Sequence, residues 1–128
     1  MNYFDFYNEI LFIFEKDNPR DFHELIKLLN TKPVILDNID LGTDFLVNAT
    51  LEITDNLIDD NFIKGTKTVT KSGDIYSFNG LTTQARIYLQ SLKKEPKSIK
   101  SKLMKYLKDN GLPLDATSIS KAVINLLW

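Results

Sequence analysis

The residues able to do chemistry are few. The chain has one histidine, His23, set between Asp21 and Glu24 on a segment with helical periodicity, and no nucleophile stands at a recognisable spacing from it. Proton transfer is the sharp use of such an imidazole, and a surface place on a helix is the plain one, which the missing nucleophile favours. The run from Asp37 to Asp44 has the glycine of a calcium loop at its sixth position. Its third and fifth positions are Ile39 and Leu41, which offer no side-chain oxygen, and its twelfth is Asn48 in place of a bidentate glutamate. Walker loop, dinucleotide-binding glycines, nucleophile elbow and His/Cys metal cluster are all missing from the sequence, so no enzyme, metal site or cofactor is expected.

What remains is electrostatic. Residues 1–60 hold four Lys or Arg against thirteen Asp or Glu, and residues 61–128 hold twelve against four, so a half of net −9 precedes a half of net +8. Eleven of these twelve cations fall at Lys64, Lys67 and Lys71, at Arg86, and then at Lys93, Lys94, Lys97, Lys100, Lys102, Lys105 and Lys108. Phosphate contact is the chemistry such a series supports, with Lys64, Lys67, Lys71, Lys100 and Lys105 as the residues that would carry it and Arg86 as an addition. A solvated surface is the plainer use of the same lysines.

These residues need elements to hold them. Leu46, Ala49 or Thr50, Ile53, Leu57 and Ile58 form one helical stripe, with Thr43 or Asp44 placed to cap it. Thr66–Lys71 and Asp74–Phe78 read as two strands, with Ser72-Gly73 supplying the positive φ of a tight hairpin. Asn79-Gly80 then predicts a turn, and Thr82 caps a helix bearing Ala85, Tyr88, Leu89 and Leu92. Helix, hairpin and closing helix make residues 43–92 the expected organising unit.

The sequence Leu57-Ile58-Asp59-Asp60-Asn61-Phe62-Ile63-Lys64-Gly65, followed by Leu81-Thr82-Thr83-Gln84-Ala85-Arg86-Ile87-Tyr88-Leu89, resembles small bacterial and phage winged-helix proteins of the YjcQ-like family. The likeness spans residues 3–92. Members of that family often carry a glycine where this chain has Ala85. The resemblance implies a winged helix of three helices plus a β-hairpin wing, and a nucleic-acid-binding or prophage-related role.

Before that unit, Tyr3–Lys16 reads as a helix with Phe6, Ile10, Ile13 and Phe14 on one side and Tyr3, Tyr7 and Leu11 nearby. Its rings suit a core or a dimer contact, and a pocket lined by them is the sharper alternative. Asn18 is expected to cap a second helix with Pro19 at its first position, carrying Phe22, Leu25, Ile26 and Leu29 as far as Asn30. Pro33 stops it, and Val34-Ile35-Leu36 is the candidate short strand against the wing. Beyond the wing, Ser98–Asn110 reads as a basic helix with Ile99, Leu103, Tyr106 and Leu107 inward and Gly111 as an αL cap. Thr117 or Asp115 caps a last helix with Ile119, Val123, Leu126 and Leu127. The fold expected is therefore α+β: a winged-helix domain at 1–92 and a basic C-terminal helical hairpin at 93–128 packed on it.

With 43% hydrophobic and 26% charged residues, the 128-residue chain suits one globular core. It has no cysteine, which excludes disulfides and makes the reducing cytoplasm the expected location. Asp5, Glu9 and Glu15 interrupt the apolar N-terminus, so neither a signal peptide nor a membrane span is expected. Two functions follow. The first is a non-enzymatic nucleic-acid-binding protein, a candidate phage regulator, touching phosphates through wing and basic helix. The alternative is a protein-interaction module, homodimeric or modulating a host protein, that uses the acidic face and the aromatic first helix.

Overall fold

The first helix, α1 (Tyr3–Lys16), is apolar round most of its circumference, and a helix of that kind cannot lie on a surface. In the computed structural model, which describes residues 3–32 and 43–127, α1 is buried along most of its length. Phe4, Phe6, Tyr7, Ile10, Leu11, Ile13 and Phe14 are all buried. It touches α2 (Phe22–Leu29), the second hairpin strand and two later helices. Its rings are core, with Phe14 meeting Phe78 edge-on at 5.0 Å.

The expected cap at Asn18 is corrected. Asn18 adopts φ +47 and donates its N–H to the Ile13 carbonyl, so it ends α1. Asparagine tolerates this left-handed region better than most residues. Asp21 is the cap of α2, its carboxylate accepting the Glu24 N–H at 2.8 Å. Asp21 is extended (φ −147, ψ 174), and the same geometry lets this stretch reach the sheet. Phe78 donates its N–H to the Arg20 carbonyl at 2.7 Å, and Asp21 bridges Ser77. The strand expected at Val34–Leu36 lies outside the described residues.

Next come α3 (Thr43–Asp59), β1 (Ile63–Thr70) and β2 (Gly73–Leu81). Asn61, at φ +62, closes α3: its N–H reaches the Ile58 carbonyl and that of Phe62 reaches Leu57, the paired bonds of a Schellman cap. β1 and β2 are antiparallel with Thr70 opposite Gly73, so Lys71 and Ser72 form the loop and Gly73, at φ +125, opens β2. The turn expected at Asn79-Gly80 is instead a bulge. Ile63 pairs with Leu81 but Gly65 with Phe78, which leaves one extra residue on β2, and Gly80 absorbs it at φ +96.

Thr82 caps α4 (Thr83–Lys94) through its hydroxyl and the Ala85 N–H, as expected. The helices α5 (Pro96–Asp109) and α6 (Ala116–Leu127) follow. Gly111 sits at φ +61, with Gly111 N–H on Lys108 and Leu112 N–H on Leu107, a second Schellman cap. Asp115, one of the two residues expected to cap α6, does so by accepting the Ser118 N–H at 2.8 Å. The protein is thus α+β, with six helices and one two-stranded antiparallel sheet among the described residues. α6 packs on α1, α3, α4 and α5, so both C-terminal helices share the single buried cluster. Among the described residues, no helix is long and apolar enough to cross a membrane.

Candidate nucleic-acid interface

In the winged helix expected from the sequence, the helix before the hairpin would face a major groove. The helix before the hairpin is α3, and part of its surface is covered. α6 lies against it, with the Thr117 hydroxyl donating to Asn56 at 3.1 Å. Its C-terminal half carries Glu52, Asp55 and Asp59, with Asp60 just past its end, and these carboxylates repel phosphate. Asp55 accepts the Tyr76 hydroxyl at 2.7 Å, and burial followed by this bond pushes the Tyr76 phenol up to about 12. Partial burial, with repulsion from Asp59, raises the Asp60 carboxyl above the usual range despite Ser120 and Lys121.

In the hairpin, directly opposed residues share a face. Lys67 opposes Tyr76 and Gly65 opposes Phe78, and this is the face that turns toward the core. Lys67 therefore lies 3.4 Å from both Asp55 and Asp74, and 5.8 Å from the centre of the Tyr76 ring. Its charge is compensated within the protein. Lys64 is exposed near the base of β1 and Lys71 in the loop at the tip, and neither has a carboxylate within 4.0 Å among the described residues.

The helical cations divide in the same way. Lys100 lies 4.0 Å from Asp5, over the Phe4 ring, and Lys93 pairs with Glu15 over the Phe12 ring. Arg86 is exposed on α4 and Lys105 on α5. α5 buries Ile99, Leu103 and Leu107, and its solvent side carries Lys97, Lys102, Lys105 and Lys108, none with a carboxylate within 4.0 Å among the described residues. The hairpin packs on α1, α2, α3 and α4, while α5 packs on α4 and α6. Hairpin and helical cations therefore stand on separate elements joined through α4.

The opposed charges of the two halves have a further effect. Of the five ion pairs among the described residues, three join the acidic half to the basic one: Asp55 with Lys67, Glu15 with Lys93 and Asp5 with Lys100. Part of the charge segregation is spent on the chain's own docking. Of the six expected contacts, Lys67 and Lys100 stand beside carboxylates of the acidic half, and Lys64, Lys71, Arg86 and Lys105 do not. The residues that gain weight are Lys97, Lys102 and Lys108, whose spacing about the buried Ile99–Leu103–Leu107 stripe was a readable signal. Comparison with protein-family models, curated proteins and solved structures returned no match.

Proposed function

We propose that this chain is a non-enzymatic nucleic-acid-binding protein of winged-helix type, which holds the phosphate backbone through the outer side of α5 and through Lys64 and Lys71 on the wing. The observation that carries this reading is the group of four lysines on the solvent side of α5, none with a carboxylate within 4.0 Å among the described residues, the exposed Asp109 of the same helix included. An ammonium without a local partner can exchange its counterions for phosphates, and released counterions drive binding with little regard for base sequence. The order helix, strand-like bridge, helix, helix, hairpin supports the winged-helix part of the reading. A basic helix added behind the wing would replace the groove-reading role that α3, acidic and covered, cannot fill.

The test is charge reversal at separated places. Lys102→Glu with Lys105→Glu should weaken binding to a duplex of about 20 base pairs at least ten-fold at about 50 mM salt, since each lost phosphate contact also lowers the salt slope by about one. Equal affinity in the double variant and the parent protein would remove α5 from the interface.

A further inference from the structure

The two sides of α4 differ in character. Ala85, Tyr88, Leu89 and Leu92 are buried, while Thr83, Arg86, Ile87, Gln90 and Lys94 are exposed on the opposite side, at the three-and-four spacing of one helical stripe. The helix holds no aspartate or glutamate. Arg86 has no carboxylate within 4.0 Å among the described residues, and Ile87 beside it is an aliphatic side chain left 48% exposed.

Lysines stand at both ends of this stripe. Thr82 donates its N–H to the Phe62 carbonyl at 3.1 Å and its hydroxyl to the Asn61 carbonyl at 2.6 Å, which fixes the start of α4 to the base of β1, close to the exposed Lys64. At the other end, Lys94 and Lys102 of α5 line one hollow, with Glu95 as its only carboxylate among the described residues. The middle of the stripe is arginine, isoleucine and glutamine.

We propose that this stripe enters the major groove of duplex DNA and reads base edges, which rests on the reading of the protein as a nucleic-acid binder and adds a sequence preference to it. The hairpin and α5 hold the backbone through their lysines, and α4 supplies the side chains that touch bases. A major groove is about 12 Å wide and admits one α-helix, and its floor offers acceptors, donors and methyl groups. The Arg86 fork matches guanine O6 and N7, the Gln90 amide matches adenine N6 and N7, and Ile87 with the Thr83 methyl suits the thymine methyl. Thr83 to Gln90 spans about 10 Å of helix, the length of about three base pairs. A carboxylate on this stripe would be repelled by the phosphates on either side, and α4 has none.

The experiment is selection by the full chain from a pool of duplexes with a randomised centre of about ten base pairs, at a salt concentration where the pool binds weakly. The bound fraction should be enriched about ten-fold in a core of about three base pairs holding one G·C and one A·T. Arg86→Lys keeps the charge and loses the fork, so it should relax the choice at the G·C position and leave the salt slope unchanged. Gln90→Ala should relax the A·T position alone. Both side chains are exposed, so neither change disturbs the core. A pool that binds with a steep salt slope and shows no enrichment overturns the proposal while the phosphate-binding reading stands. Enrichment that both variants keep assigns base contact to another element and also overturns it. If no duplex binds, both readings fall together.

Discussion

The Tyr7 hydroxyl lies 2.9 Å from Ser120 Oγ, a buried contact joining the first helix to the last. Burial holds the Tyr7 phenol well above its usual range, with the Ser120 bond working the other way. A hydrogen bond of this kind contributes about 1 kcal/mol, and an orphaned buried partner costs more than the bond gains. Tyr7→Phe and Ser120→Ala should each lower stability by about 1 kcal/mol, and the double variant should cost less than their sum, measured by urea unfolding.

Alkaline unfolding follows from the same burial. Tyr3, Tyr7 and Tyr88 are all pushed up chiefly by desolvation. Their folded forms stay neutral where the unfolded phenols ionise, so the contribution is complete below about pH 10 and is lost as pH rises beyond it. Urea midpoints should fall steeply above about pH 10, and Tyr7→Phe should flatten that fall.

Asp60 has the opposite consequence at neutral pH. Its carboxyl is raised by partial burial and by Asp59, so the ionised form is disfavoured in the fold. The contribution of the protonated group is complete below the unfolded value of about 4 and is lost as pH rises through the raised folded value. Asp60→Asn should therefore raise the melting temperature at about pH 7 and leave it unchanged at about pH 3. A melting temperature that rises equally at both would point to a cause other than charge.

Gly65 tests the hairpin. A Cβ there would stand 2.7 Å from the Ser77 carbonyl oxygen, a backbone atom held in the ladder. Gly65→Ala should cost about 1–3 kcal/mol, as overpacking against a fixed neighbour does. Thr66→Ala, at an exposed place on the same strand, is the control and should be close to neutral.

The parts legible in the sequence were those decided within a few residues. Thr82 caps its helix, Gly111 ends another, and Gly73 has the positive φ expected of it, although the loop is Lys71-Ser72 in place of Ser72-Gly73, because each choice is made by local backbone chemistry. Asn18-Pro19 misled because two competent caps lay three residues apart, and the sheet contact of Arg20 and Asp21 favoured the second. Asn79-Gly80 looked like a turn because its partner across the ladder, which makes it a bulge, is some fifteen positions away. The candidate site was only half legible for the same reason. Counting lysines placed the positive charge, but only folding brought Asp55 and Asp74 to Lys67 and Asp5 to Lys100.

Compensated and free lysines should therefore behave differently. Lys71→Met should weaken duplex binding and lower the salt slope by about one, whereas Lys67→Met, whose ammonium already faces two carboxylates, should leave both nearly unchanged. Fluorescence anisotropy at several salt concentrations checks the pair.

The most direct measurement is the salt dependence of DNA binding by the unaltered protein. If α5 and the wing hold phosphates through Lys64, Lys71, Lys97, Lys102, Lys105 and Lys108, the logarithm of the affinity should fall linearly with the logarithm of salt, with a slope of about −4 to −6. A slope near zero, or no binding at about 50 mM salt, would contradict the account.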